Sequence, residues 1–396
     1  MKKQQKATNN DIVHEVTKDF ENRKSARRAL ELQWQLNIDF LRGNQNNVIS
    51  KFDTVVAQGR QFYWQEREVF NHLAPMIEAR LGKLAIECAK LDMQHISEKA
   101  SMWSEMTGTA FYKVIFDGEV KVVVCSPFEI YPDQLTAEDI GECRSIIHAK
   151  VYRISEIERI WGVVVEGQEI DVFDITAANR KKRTTMENAA VVIERYERPS
   201  VAHPDGRLVI VAGDKLVFSG PLPYGIPFVR QCCEQVVGCF YGRSTVERAI
   251  PVQRALNAVK NRKTEFLNRL ACGVLSVEEG SIDLESLEHD GLAPGKVLVY
   301  RQGSQAPKFV DTGSMPAELE REEERLLREL ETICGVANFQ HIAEAVNLSG
   351  VALQIMVEQE SQRMARTVNQ IIQSVAEVER KIQELKEIFT HGTIRS

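Results

Sequence analysis

The residue types that could do chemistry are present but not arranged for it. Eight histidines stand at positions 14, 72, 95, 148, 203, 289, 341 and 391 with no ligand spacing among them, and read as surface or capping groups. Eight cysteines (88, 125, 143, 232, 233, 239, 272 and 334) contain no Cys-x-x-Cys, and the adjacent Cys232 and Cys233 do not match zinc-ligand spacing. They read as small buried thiols of a reducing compartment. The sequence contains no Gly-x-x-x-x-Gly-Lys-Ser/Thr loop, Gly-x-Gly-x-x-Gly turn or Gly-x-Ser-x-Gly elbow, and His14-Glu15 lacks the second His of a zincin. Arg180-Lys181-Lys182-Arg183 could touch phosphates but reads better as a solvated loop. No catalytic residue, cofactor or metal site is assigned, and the chain is not expected to be an enzyme.

Charge, rather than a catalytic constellation, carries the signal. From Arg243 to Ala271 seven basic residues face two acids, a net of +5, with Lys260, Arg262 and Lys263 clustered. From Met315 to Glu331 seven acids, Glu322 and Glu323 among them, face three bases, a net of −4. Exposed ion pairs contribute only about 0–1 kcal/mol each, so this complementarity is read as setting register between helices or subunits. Between the two segments lie Glu278, Glu279, Asp283, Glu285, Glu288 and Asp290, an acidic surface suited to a basic partner. After them, Gly335 and Gly350 bound a polar stretch with Asn338, Gln340, His341 and Asn347, in which Glu344 is the sole acid and no Lys or Arg occurs.

The elements that must position these groups follow from periodicity. Val13, Val16, Phe20, Leu30, Trp34, Ile38 and Leu41 predict a helix over 11–42, with a charged gap at Arg23 to Arg28. A second helix is predicted from Glu66 to Lys90, with Pro75 bending its start, and a third from Met93 to Met106. Phe111–Phe116 and Val120–Cys125 flank Asp117-Gly118, a hairpin signal. Strands continue at Ser145–Tyr152, Val191–Tyr196, Leu208–Val211 and Lys215–Phe218, with a short helix over 153–161, so 110–230 reads as a mostly antiparallel unit. Gly220 to Pro227 punctuates the chain.

Ser244 and Glu247 form a capping-box pair before a long helix to about Ala271, which either kinks at Pro251 or restarts there. Val274–Val277 and Lys296–Tyr300 read as strands, and Pro316 opens the acidic helix. Two helices of similar length thus bracket about forty residues of β structure and can run side by side with the β unit at one end. The last helix, from about Val351 to Phe389, carries Met364, Val368, Ile371, Val375, Val378, Ile382, Leu385 and Phe389 at alternating steps of four and three, a heptad seam. A coiled coil and a helix packed into a ring or bundle both fit that seam. The fold class is α+β.

The chain has 396 residues, 43% hydrophobic and 27% charged, with 50 basic residues against 56 acidic and a net charge of −6. Ordinary globular composition excludes a disordered chain, and the length suggests two or three domains. The acidic balance disfavours tight non-specific grip on duplex DNA. No run of apolar residues is long enough to span a membrane, and the start Met1-Lys2-Lys3 has no apolar signal segment, so an intracellular product is expected.

Several motifs, in order, resemble the portal proteins of tailed double-stranded DNA bacteriophages. They are Phe40-Leu41-Arg42-Gly43-Asn44-Gln45, Asn71-His72-Leu73-Ala74-Pro75 with Glu78-Ala79-Arg80, Gly108-Thr109-Ala110-Phe111-Tyr112-Lys113-Val114, and Ser126-Pro127-Phe128-Glu129-Ile130-Tyr131-Pro132-Asp133. Further on come Tyr241-Gly242-Arg243-Ser244-Thr245-Val246-Glu247 with Gln253 and Asn257, then Pro294-Gly295-Lys296-Val297 and Ser349-Gly350-Val351-Ala352-Leu353-Gln354. The resemblance implies a portal-like fold: a wing over 1–240, stem helices over 241–272 and 313–334, a clip over 273–312, a tunnel loop over 335–350, and a long helix over 351–396 leading toward a crown. The 84–108 segment and the stretch after Phe389 are short for the family.

The resemblance further implies a ring of twelve copies at one capsid vertex, with double-stranded DNA passing through it. Its partners would be the terminase large subunit and head-completion or tail-adaptor proteins on the clip, with major capsid and scaffold proteins around the ring. The implied location is the virion, after assembly in the host bacterial cytoplasm, with no membrane contact. The tunnel-loop residues Asn338, Gln340, His341 and Asn347 would face the DNA, and Glu278, Glu279, Asp283 and Glu285 would dock partners. Two other readings stand beside this one: a coiled-coil adaptor without a channel, and a nucleic-acid enzyme.

Overall fold

A computed structural model describes residues 9–45, 68–89, 91, 93–172, 184–272, 274–282, 297, 299–310, 315–336 and 350–390. It is mixed helix and sheet, as expected, with 50% of residues helical and 23% in strands. Helix α1 (Asn9–Leu41) follows the predicted span. Its apolar positions serve three separate cores. Val16 and Phe20 pack on strand residues Ile147, Ile193 and Val209, Trp34 joins an aromatic cluster with Phe111 and Tyr241, and Phe40 packs with Leu73 and Leu256. The charged gap in its pattern is not a solvent-facing break, because Arg27 is fully buried.

Helix α2 (Leu73–Glu87) begins later than the predicted Glu66, and Pro75 sits in its first turn, where a missing N–H costs nothing. Helix α3 (Gln94–Thr107) then leads into strand β1 (Thr109–Asp117). The predicted hairpin forms: β1 pairs antiparallel with β2 (Glu119–Cys125) around Gly118 at φ +72°.

The chain next builds a larger antiparallel sheet from β3 (Ile130–Pro132), β4 (Ser145–Arg153), β6 (Thr184–Glu197), β7 (Arg207–Ala212) and β8 (Lys215–Gly220). Helix α4 (Ile154–Trp161) follows β4, and β5 (Gln168–Val172) pairs with β6. The Gly220–Pro227 punctuation carries the chain from this sheet to β9 (Phe228–Cys232), which returns to the other edge of β1. Residues Thr109 to Val114 of β1 are all buried because strands flank this strand and both its faces are covered. Phe111 points to the aromatic cluster and Ala110, Tyr112 and Val114 to the opposite core, as the two-residue strand period requires.

Helix α5 (Thr245–Cys272) runs unbroken through Pro251, so neither a restart nor a second helix is found there. Ser244 caps it, its Oγ accepting from the backbone N–H of Val246 at 3.0 Å and Glu247 at 3.4 Å. Strand β10 (Val274–Ser276) pairs with β11 (Lys308–Val310), and residues 296 and 298 of the predicted 296–300 strand lie outside the described residues. Residues 297, 299 and 300 lie outside any strand, with Val297 81% and Val299 80% exposed. Helix α6 (Ala317–Cys334) is the predicted acidic helix, and α7 (Gly350–Thr390) is the long last one.

The heptad seam of α7 closes on its own chain. Met364, Ile371 and Val375 pack with Leu84 and Cys88 of the α2 region, and Val378 and Leu385 pack with Ala100, Ala110, Tyr112 and Val229. Phe389 stacks on Phe116 of β1 with ring centroids 4.1 Å apart. Ser374 Oγ donates to Arg230 O at 3.1 Å and Lys381 Nζ to Ile226 O at 3.0 Å, fastening the helix along β9. Among the described residues the seam therefore offers no free face for a coiled-coil partner, nor does it point to a ring by itself.

Candidate functional site: the helix pair, its β tip and the ties behind them

Helices α5 and α6 lie against each other. Near the body of the protein their contact is apolar: Val246, Ile250, Val252 and Leu256 meet Leu326, Leu330 and Cys334, with Phe40, Leu73 and Ile77 closing the cluster. Farther out charge takes over. Lys260 Nζ lies 3.3 Å and Lys263 Nζ 3.1 Å from Glu323, and Lys263 lies 3.9 Å from Glu320. Burial works to raise the Glu323 carboxyl, but hydrogen bonds from Lys263 and Lys260 prevail and hold it below the usual carboxylate range. Three of the five predicted helix charges thus meet. Glu322 instead pairs with Arg325 of its own helix at 2.7 Å, and Arg262 is exposed beside Pro316, Glu318 and Leu319 at the start of α6.

A ladder of amides on α5 fixes the chain that enters α2. Gln253 Nε2 donates to Phe70 O at 2.7 Å while its Oε1 accepts from Leu73 N at 3.1 Å. Asn257 Oδ1 accepts from Phe70 N at 3.1 Å, and Asn261 both accepts from Glu68 N at 3.0 Å and donates to Glu68 O at 2.8 Å. Spaced four residues apart on one helix face, the three side chains satisfy backbone groups of the segment that leads into α2. These bonds claim residues 68–73 and explain the late start of α2.

Two buried arginines brace the base. Arg80 Nε donates to Glu105 Oε1 at 2.8 Å, Nη1 to Cys334 O at 3.1 Å and Nη2 to Thr367 Oγ1 at 2.9 Å, joining α2, α3, the end of α6 and α7. Burial opposes its charge, yet Glu105 beside it raises its pKa. Arg27 donates to Pro127 O at 2.6 Å, Phe128 O at 2.9 Å and Tyr241 Oη at 3.0 Å, and its guanidinium lies 3.7 Å from the ring centre of Tyr131.

The Tyr241-Gly242-Arg243-Ser244 motif is the joint where these layers meet. Gly242 N donates to Thr109 Oγ1 at 2.7 Å, and Ser244 Oγ donates to Glu105 O at 2.6 Å. Gly108, at φ +90°, approaches so closely that a Cβ there would stand 2.1 Å from Gly242 O.

The β tip carries exposed apolar groups: Phe309 is 65% and Val310 47% exposed. Of the predicted docking acids, Glu278 accepts from Gln305 N at 2.7 Å and Glu279 is exposed, while Asp283 and Glu285 lie outside the described residues. Asn338, Gln340, His341 and Asn347 also lie outside them.

Reading all histidines as surface or capping groups is wrong for His148, which is buried. Its Nδ1 lies 3.1 Å from Glu194 Oε2 and 3.3 Å from Lys113 Nζ. Burial and Lys113 oppose its charge, but hydrogen bonds with Cys125, Glu129 and Glu194 push its pKa up to about 10. Burial also opposes the charge of Glu194, yet Lys113 and His148 hold it well below the carboxylate range. Lys113, His148 and Glu194 come from strands far apart in sequence, so no spacing rule could assemble them.

The described residues thus hold a helix pair with a small exposed β tip, braced at its base by buried ties. Residues 92–389 match the family model described as Phage P22-like portal protein, and the chain belongs to that family. It is thus a bacteriophage portal, a head-tail connector that serves DNA packaging and forms part of the virion. No curated protein matches the chain.

Proposed function

We propose that copies of this chain close into a ring of twelve at one capsid vertex and form the channel through which double-stranded DNA is packaged and later ejected. In this reading residues 1–240 form the wing, 241–272 and 313–334 the stem, 273–312 the clip and 335–350 the tunnel loop, with 351–396 leading toward a crown. The observation that carries it is the α5–α6 pair, rooted in the wing by apolar contacts and amides and ending in an exposed β tip, in a member of the portal family. The terminase large subunit and then the head-completion and tail-adaptor proteins dock on the tip, and major capsid and scaffold proteins surround the wing. The chain supplies position, and a separate motor supplies hydrolysis.

Negative-stain images and light scattering of the purified protein test the ring. Closed rings with a central hole are expected, and monomers or dimers alone under every condition tried would overturn it. Deleting 280–292 is expected to abolish terminase binding while leaving rings. Deleting about six residues within 338–346 is expected to leave rings but shorten the packaged DNA.

A further inference from the structure

Three side chains with metal-ligand chemistry converge where the two sheets meet. Cys125 is the last residue of β2, Glu129 ends the short turn before β3, and His148 stands on β4 opposite Ile130. The Cys125 Sγ lies 3.9 Å and Glu129 Oε2 3.7 Å from His148 Nε2, and the three donor atoms all lie within 4.8 Å of one another. Bonds of about 2.0–2.3 Å place the ligands of a tetrahedral zinc ion about 3.3–3.6 Å apart, so Cys125 and Glu129 each need to approach His148 by only a few tenths of an ångström, and the Cys125–Glu129 pair by at most about 1 Å, to close the site.

The surroundings suit a metal as well. The far nitrogen of the ring, Nδ1, meets the buried Glu194 carboxylate at 3.1 Å, the carboxylate–histidine arrangement that fixes the tautomer and turns Nε2 toward a metal. Glu194 is itself held by Lys113 and by Tyr196 Oη at 2.7 Å. Lys113 and Glu194 cancel each other's charge, leaving a thiolate and the Glu129 carboxylate to neutralise a dication. Cys125 is 2% and His148 5% exposed, whereas the Glu129 side chain, 25% exposed with Lys150 Nζ 4.0 Å away, opens the site to solvent. Sulfur, nitrogen and one carboxylate oxygen form a donor set for zinc or cobalt rather than for calcium or magnesium.

We propose that Cys125, Glu129 and His148 bind one zinc-type divalent ion, with water as fourth ligand, that clasps the three-stranded sheet to the larger sheet. Binding displaces the protons on Sγ and Nε2 to solvent.

The test uses the assembled full-length protein, stripped with chelator and titrated with cobalt(II) chloride. One equivalent per chain is expected, with a near-ultraviolet thiolate-to-cobalt absorption, and zinc is expected to displace it. Cys125→Ser loses that absorption, Glu194→Gln weakens binding about 10–100-fold, and Cys239→Ser changes neither. No absorption in the wild type, or an unchanged one in Cys125→Ser, overturns the site. Should Cys125→Ser fail to fold, the partly exposed Glu129→Gln decides. Cobalt affinity reduced about tenfold or more supports the site, and unchanged affinity sinks it.

Discussion

The two halves of the α5–α6 pair are built on different physics. Near the body of the protein, Leu256 and Leu330 are wholly buried and the amides of Gln253 and Asn257 grip the incoming chain. Toward the tip, Leu267 and Leu270 are 48% and 43% exposed, and the partners across the pair are lysines and glutamates. One chain determines the first half completely. The second half keeps apolar surface that its own chain does not cover, which is how surfaces destined for partners are commonly left. The contrast predicts that substitutions near the body act on the stability of the chain, while those toward the tip act on assembly and docking.

The largest effect is expected at the root. Arg80→Ala leaves the buried Glu105 without its cation and removes the tie to Cys334 and Thr367. An uncompensated buried charge of this kind costs about 3–5 kcal/mol. A loss of unfolding free energy in urea of less than a third of that would show that the root is not held this way. Leu330→Ala, in the apolar contact, is expected to cost about 2–5 kcal/mol, read from the same transition.

Gln253→Ala strips partners from Phe70 O and Leu73 N, worth about 1–3 kcal/mol. Faster hydrogen exchange confined to residues 68–73 would identify the ladder as the cause, and unaltered exchange there would remove it from the account.

Toward the tip the expected changes shrink. Lys263→Ala costs at most about 1 kcal/mol, and less at high salt. The Glu323 carboxyl has a lower pKa in the folded chain than in the unfolded one. Its contribution is therefore present above the ordinary carboxylate pKa and is lost as the pH falls through the depressed folded value. Thermal unfolding followed between about pH 6 and pH 3 should show the wild type approaching Lys263→Ala at the acid end. Smallest of all, Phe309→Ser leaves unfolding of the chain unchanged, since the ring is 65% exposed. An effect seen only in ring assembly or motor docking sharpens the contrast, and a clear loss of chain stability breaks it.

Most of the elements are legible in the amino-acid sequence, and the reasons are local. The hairpin at Asp117-Gly118, the cap at Ser244 and the C-terminal seam are short-range patterns that the fold realises almost residue for residue. The errors share a cause. A helix from Glu66 looks regular by periodicity, but Asn257 and Gln253, nearly two hundred residues away, claim its backbone. Of the strand-like 296–300 segment, the described residues 297, 299 and 300 lie outside any strand, and β10 pairs with β11. Of the candidate site, the charge complementarity is visible in composition, but not that Glu323 rather than Glu322 faces the lysines, which depends on the rotation of α6 about its axis.

Spacing and composition alone establish the α+β class, the long helices, the pair of oppositely charged helices around a β unit, and the order of motifs that resembles portal proteins. Each is written within a few turns of chain. Only tertiary packing decides that the heptad seam closes on β1, β9, α2 and α3 of its own chain instead of on the same helix of a second copy, because a seam states what it buries but not against what. Packing also decides which charges enter the interior. Arg27, Arg80 and His148 look like any surface residue in the sequence, and their burial is tolerable only because carbonyls, carboxylates and rings from distant segments arrive together to satisfy them.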